Sequence, residues 1–247
     1  MCKYASSGLV AFALFACHVA HAADLPHYPA PAPAPLLAPA APVFTWTGFY
    51  VGGQAGYAWG RDRTSEYVTG SGAFTGFAVK YNVNGALGGI HGGGNYQFGA
   101  IVLGAEADLE AAQLRGGFVD PTNAATADPG GAARVSIGTQ GSVRGRVGYA
   151  LDRTMVYGTG GLALADIRYS FVNLTTRVTE NTQKLRSGYT FGGGIDYAIT
   201  NNLIGGVEYR YSEFSKFTYN STASFPGLNG RQLPRSNTLR VRLGYKF

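Results

Sequence analysis

The last nine residues constrain this chain most, because they alternate without a break. Leu239, Val241, Leu243, Tyr245 and Phe247 share one parity, and Arg240, Arg242, Gly244 and Lys246 share the other. A strand turns successive side chains to opposite faces, so this segment has one wholly apolar face and one cationic face. A soluble sandwich could bury the apolar face and leave the cations in water. A lipid-facing strand would instead set the apolar face against hydrocarbon and enclose the cations.

Seven further alternating runs precede it. Residues 49–59 set Phe49, Val51, Ala55, Tyr57 and Trp59 against Gln54. Residues 83–96 form a second run whose alternation is blurred by glycine. Residues 101–111 set Ile101, Leu103, Ala105, Ala107 and Leu109 against Glu106, Asp108 and Glu110. In 135–151, Val143, Val147, Tyr149 and Leu151 oppose Arg144 and Arg146. In 155–171, Tyr157, Ile167, Tyr169 and Phe171 oppose Asp166 and Arg168, which leaves Leu162 and Leu164 on the polar face unless a bulge intervenes. In 187–199, Tyr189, Phe191, Ile195, Tyr197 and Ile199 oppose Asp196, and in 203–211, Val207, Tyr209 and Tyr211 oppose Glu208 and Arg210.

The connections alternate in length. Residues 97–100, 152–154 and 200–202 are tight turns, whereas 60–82, 112–134, 172–186 and 212–236 are long and polar. Eight is the smallest even strand number among membrane barrels, which join short turns at one end to long loops at the other. A soluble eight-stranded lipocalin would alternate as well, but the aromatics at nearly every outward strand end suit a bilayer interface. The predicted fold is therefore all-β, an eight-stranded antiparallel transmembrane β-barrel over residues 44–247, with short turns and four long loops.

The N-terminal segment points to export. Lys3, the apolar run 8–16 and the small-x-small site ending at Ala22 describe a signal peptide over residues 1–22, cleaved between Ala22 and Ala23. The segment Leu14, Phe15, Ala16, Cys17 competes as a lipoprotein box, into which Phe15 fits poorly. Both cysteines, Cys2 and Cys17, precede the cleavage site, so the mature chain carries no disulfide and no thiol or Cys-zinc chemistry. Mean hydropathy is close to zero and no later apolar run is long enough for a spanning helix, so a membrane form must be a closed barrel. Residues 23–43 are a Pro- and Ala-rich extended tether. Without Lys3 the 20 basic residues become 19 against 14 acidic ones, a net charge of +5. An exported chain meets lipid phosphate rather than nucleic acid with such an excess.

Several segments resemble a known family. The segment Phe44 to Trp59, with Gly141 to Tyr149, Tyr157 to Gly161 and Val207 to Tyr211, is similar to the small alphaproteobacterial outer-membrane proteins of RopB type, within the OmpA-like barrel superfamily. The terminal Phe247 with its upstream apolar positions resembles the C-terminal strand by which Gram-negative barrels are recognised by their assembly machinery. The resemblance covers essentially the whole mature chain and implies an eight-stranded porin-like barrel in the outer membrane, with short turns and the tether in the periplasm and the long loops outside. It carries over no catalytic residue. Gly92, Gly93 and Gly94 depart from the pattern and leave the register of the second strand open.

In this register Glu106, Asp108, Glu110, Arg144, Arg146, Asp166, Arg168, Asp196, Glu208, Arg210, Arg240 and Arg242 face the lumen. Near balance of charge in a lumen only as wide as its side chains favours a salt-bridged plug over an ion-selecting constriction. Catalysis needs a poised base or nucleophile, and beyond the tether the only histidine is His91, without a visible partner. No metal-ligand spacing and no phosphate-binding glycine loop is present, so no cofactor is expected. Loop and strand-end cations, with Arg61, Arg63 and Lys184 foremost, are candidate contacts for lipopolysaccharide phosphates. The expected function is structural, in outer-membrane integrity and surface display. A low-conductance porin and an adhesin or ligand receptor acting through the loops are the alternatives, and a homo-oligomer stays open.

Overall fold

The computed structural model describes residues 44–121 and 130–247, and among these no residue is helical. The expected signal peptide, its cleavage site at Ala22 and Ala23, and the tether lie outside the described residues. Ten strands follow in order: β1 Gly48–Val68, β2 Phe74–Phe98, β3 Ile101–Asp120, β4 Gly131–Leu151, β5 Thr154–Asn173, β6 Thr179–Ala198, β7 Leu203–Phe214, β8 Phe217–Asn220, β9 Leu228–Gln232 and β10 Arg235–Lys246. Each of β1 to β6 pairs antiparallel with the next, β7 pairs with β10, and β10 closes on β1 from Tyr50↔Lys246 to Arg61↔Arg235. Closure leaves an eight-stranded barrel without an edge at membrane depth. β8 and β9 form a hairpin outside that ring, and β9 pairs with the upper end of β1 from Thr64↔Gln232 to Val68↔Leu228.

The apolar parity of the sequence is the outer surface. Phe49, Val51, Leu103, Leu109, Val143, Val147, Ile195, Val207 and Leu243 are all exposed. An apolar surface of that extent belongs against hydrocarbon rather than water. Aromatics border it: Tyr96, Phe98, Tyr245 and Phe247 toward the short turns, Tyr57, Trp59, Tyr189 and Tyr209 toward the loops. The turn at Asp152 uses a positive φ of 53°, a conformation that Asp tolerates better than most residues.

The second strand keeps a regular register, with Gly92, Gly93 and Gly94 opposite Val51, Tyr50 and Phe49. A Cβ at Gly93 would lie 2.4 Å from the Ala105 carbonyl oxygen and 2.7 Å from the Tyr50 hydroxyl. Glycine there is what lets the Tyr50 ring cross the inner wall.

Two sequence expectations are corrected. Most of the four long connections is strand: β1 and β2 continue through residues 60–68 and 74–82 and leave only 69–73 as a turn. The fifth strand is also inverted. Tyr157, Ile167, Tyr169 and Phe171 are buried inward, while Leu162 and Leu164 are exposed, and no bulge interrupts the pairing of β5 with β6. Asp166 and Arg168 consequently lie on the outer face, where they pair with each other at 3.4 Å.

Both corrections have one cause. Above the aromatic border the barrel wall meets water, so the rule of apolar outside and polar inside reverses. Ala58, Tyr81, Val83, Leu87, Leu114, Val135, Ile137 and Ile167 form a buried apolar core inside the upper barrel. A bulge between Ile137 and Thr139 lets Ile137 and Gln140 both face inward as β4 passes from one regime to the other.

Cysteine scanning of β5 tests this register, since no cysteine follows Cys17. In the folded barrel, Asp166→Cys and Arg168→Cys should react with a water-soluble maleimide, and Ile167→Cys should resist it until the barrel is unfolded. Reaction at 167 with protection at 166 and 168 would reinstate the opposite assignment of faces.

Candidate functional site: the lumen and its charge network

Period-2 geometry and the closed ring bring ten of the twelve expected lumen charges into one layer. Glu106, Asp108 and Glu110 come from β3, Arg144 and Arg146 from β4, Asp196 from β6, Glu208 and Arg210 from β7, Arg240 and Arg242 from β10, and all are buried. Asp166 and Arg168 take no part, for the reason given above; the Arg168 side chain is 59% exposed. Five carboxylates therefore face five guanidiniums, and the layer neutralises itself.

Two of the ion pairs join direct register partners: Glu106 with Arg144, and Glu208 with Arg240. Arg144 spans three acids, at 2.5 Å from Glu106, 3.1 Å from Asp108 and 2.6 Å from Glu208 across the lumen. Arg240 joins Glu110 and Glu208, each at 2.6 Å, and Arg242 joins Glu208 at 2.5 Å and Glu106. Arg210 reaches Asp108 at 3.1 Å and Glu110 at 2.5 Å. Arg146 pairs with Asp196 and lies 3.6 Å over the Tyr157 ring.

Neutral donors complete the carboxylate shells. Tyr50 donates to Glu106 at 2.8 Å, Tyr157 to Glu208 at 3.0 Å, and Ser142 to Asp108 at 2.6 Å. Gln54 and Gln140 donate to the two oxygens of Glu110 at 2.8 and 2.7 Å. Sequence reasoning placed Gln54 inward but missed Tyr50 and Tyr157; parity alone would have found Tyr50, four residues before Gln54. Such shells are what make buried ions tolerable, because each charge has lost its hydration.

A buried apolar cluster lies at the short-turn end. Trp46 is 1% exposed and packs with Val102, Met155, Tyr157, Ala198 and Ile204. Its indole donates to the Asp152 carbonyl at 3.0 Å, and its backbone N–H donates to Gln97 at 2.7 Å. Between Trp46 and the charge layer the remaining space, bordered by Tyr50, His91, Asn95 and Asp196, is about 10 Å³. That is about what one water needs. His91 is buried there, its ring 6.1 Å from that of Tyr50, and its Nδ1 makes no hydrogen bond. Among the described residues no cluster of His, Cys, Asp and Glu could hold a metal ion.

The apolar upper core fills the lumen toward the loop end. Buried within it, above the aromatic border, Asp62 accepts hydrogen bonds from Tyr81 at 3.0 Å and Tyr169 at 3.1 Å. Burial raises its pKa, and the hydrogen bonds from Tyr81, Tyr169 and the Arg63 and Leu233 backbone act against that rise.

The remaining expected sites fall outside the lumen. Leu239, Val241, Leu243, Tyr245 and Phe247 all point outward and are exposed. Arg61 and Arg63 are exposed on the outer face, but Lys184 is the register partner of inward-facing Ile167 and so stands on the inner side of the rim. Arg63 is directly opposite Lys80 in the β1–β2 ladder, a like-charge pair.

The comparisons with known proteins agree with this architecture. A family profile described as outer membrane protein beta-barrel domain matches residues 30–247. The 31 kDa outer-membrane immunogenic protein of Brucella melitensis biotype 1 is 34% identical, covering 86% of this chain and 89% of its own length. The 22 kDa outer membrane protein of Rhizobium leguminosarum bv. viciae is 31% identical over 85% of this chain and 82% of its own. Among solved structures, the outer membrane protease OmpT from Escherichia coli aligns with a TM-score of 0.50 at 11% identity, covering 84% of this chain and 99% of its own. At that identity the likeness concerns the fold alone.

Arg144→Ala would leave Glu106, Asp108 and Glu208 short of a partner at once, and breaking a buried pair costs about 3–5 kcal/mol. The variant should unfold at clearly lower denaturant than wild type, and Arg144→Lys should also fall short because one ammonium cannot serve three carboxylates. Adding Glu106→Gln should recover part of the Arg144→Ala loss. Simple additivity across that double-mutant cycle would show that the two residues do not interact.

Proposed function

This chain belongs to the outer membrane protein β-barrel family, and from that premise we propose that it is a structural barrel with a closed lumen, serving envelope integrity and surface display. The observation that carries this reading is the threefold seal: Trp46, the self-neutral charge layer and the apolar upper core lie in series along the lumen. A porin of this architecture would have to break the charge layer open at every passage, against the cost of unpairing buried ions. No catalytic role is proposed, because the buried acids are committed to guanidinium partners.

The outer surface supports lipopolysaccharide as its lipid partner. Arg61, Arg63, Lys80, Arg115 and Arg134 are exposed on the outward side of β1 to β4, beyond Tyr57 and Trp59. Arg63 and Lys80 directly opposite each other repel unless an anion lies between them. Lipid phosphates of the outer leaflet supply that anion, and each cation near such a surface gains about 1 kcal/mol before screening. The outward Tyr245 and Phe247 likewise support recognition by the barrel-assembly machinery.

Two measurements test these readings. The refolded mature chain in a planar bilayer should show no steady ionic conductance, and stable conducting steps in wild type would sink the closed-lumen reading. Arg61→Gln, Arg63→Gln and Lys80→Gln combined should lower the lipopolysaccharide that co-purifies with the barrel at low salt, with the difference from wild type shrinking as salt rises. Equal retention at low salt would leave these residues as plain surface charges.

A further inference from the structure

The loop end of the barrel carries a half-enclosed cup of about 270 Å³, which shares Ala133, Phe171 and Tyr219 with the apolar upper core. Its wall includes Phe77, Phe118, Phe171, Tyr219 and Phe225, and among the described residues the charged ones that line it are Glu66 and Asp120. Among the described residues no lysine or arginine lines it, in a chain whose formal net charge is +6 and whose outer rim is cationic. The cup is thus an acidic aromatic recess within a basic surface.

Its walls are fixed before any ligand arrives. The rings of Phe171 and Tyr219 stack with centroids 4.6 Å apart, and Phe77 and Phe118 lie 5.9 Å apart. Phe225 sits on a segment tied to the barrel rim through Glu180, whose carboxylate accepts from the Ser221 and Thr222 hydroxyls at 3.0 Å and the Ser224 hydroxyl at 3.1 Å. Asn173 secures the same segment by donating to the Ser224 carbonyl at 2.9 Å. Burial works against the Glu180 charge, but hydrogen bonds from Tyr219, Ser224, Thr222 and Ser221 outweigh it and hold its carboxyl well below the usual range. The Glu180 carboxylate therefore stays charged, and the segment tied, at neutral pH.

We propose that this cup binds a small organic cation with an apolar body, such as an aryl- or alkylammonium. Aromatic faces attract a cation through their quadrupole, and they bury the hydrocarbon that carries it. Glu66 and Asp120 supply the net negative charge that an uncharged aromatic pocket would lack. The volume suits one ring with a short ammonium arm, since about 150 Å³ already admits benzene. The proposal is independent of the closed lumen, because the cup lies at the loop end, away from the charge layer, and needs no passage beneath it.

The test uses the folded mature chain in nanodiscs of zwitterionic phosphatidylcholine, titrated with benzyltrimethylammonium, benzyl alcohol or benzoate and read by calorimetry. Benzyltrimethylammonium should bind saturably, benzyl alcohol more weakly and benzoate not at all. Glu66→Gln with Asp120→Asn should weaken the cation roughly tenfold or more while leaving benzyl alcohol unchanged. Phe225→Ala, which removes a wall ring outside the barrel core, should weaken both. Heat-modifiable gel mobility establishes that each variant is folded. The proposal fails if the folded wild type binds none of the probes, if benzoate binds as well as the cation, or if neutralising both acids leaves cation affinity unchanged.

Discussion

A lumen enclosed by eight strands is only as wide as the side chains that fill it, and every charge placed there must find its counter-charge there. This constraint explains the composition of the layer. All five cations are arginine, none lysine, because a planar fork can hold two or three carboxylates at once where an ammonium acts as a point. Arg144 and Arg240 use that capacity across the barrel, linking β4 and β10 to acids on β3 and β7. The network thereby ties strands that share no backbone hydrogen bond. It also explains the tyrosines: Tyr50 and Tyr157 satisfy carboxylate lone pairs that five guanidiniums leave open.

The bilayer sets a second constraint, which changes along each strand. Where lipid surrounds the wall, apolar side chains face out; where water surrounds it, they face in. Eight alternating runs were legible because most of each run lies in the first regime. The fifth run was misread because Ile167, Tyr169 and Phe171 belong to the second, and their inward parity is shared by Tyr157, which turns inward for the Glu208 hydrogen bond. The polar outer faces of residues 60–68 and 74–82 read as loop for the same reason. A single rule of polarity applied along the whole chain cannot distinguish a wetted strand from a loop.

The site was legible to the extent that parity determines it. Ten lumen charges follow from alternation within the membrane regime, and the direct Glu106–Arg144 pair follows from β3 and β4 being consecutive. Partners across the lumen do not follow, because they depend on how far the strands are staggered around the ring. Arg146 illustrates this: it lies 3.7 Å from Glu106 of β3, as its position suggests, but also pairs with Asp196 of β6. The Trp46 seal was invisible for another reason, since residues 44–47 are not strand and carry no periodicity to read.

The two regimes also divide the work of holding the barrel together. At membrane depth the closed hydrogen-bonded ring and the ion network leave little freedom for substitution inside. Toward the loop end, β6 above Gly188 has no strand partner on its β7 side, and β8 pairs only with β9. Beyond one backbone hydrogen bond from Ser215 to Ser187, the β7–β10 connection is held there by side chains, Glu180 of β6 with its hydroxyl and backbone donors and Asn173 of β5 with Ser224. Side-chain ties of this kind can be exchanged without disturbing the ring below. A barrel built this way keeps its ion-paired base while the shape and charge of its loop-end cup remain free to differ, which is the division of labour that the proposed recognition at the surface would require.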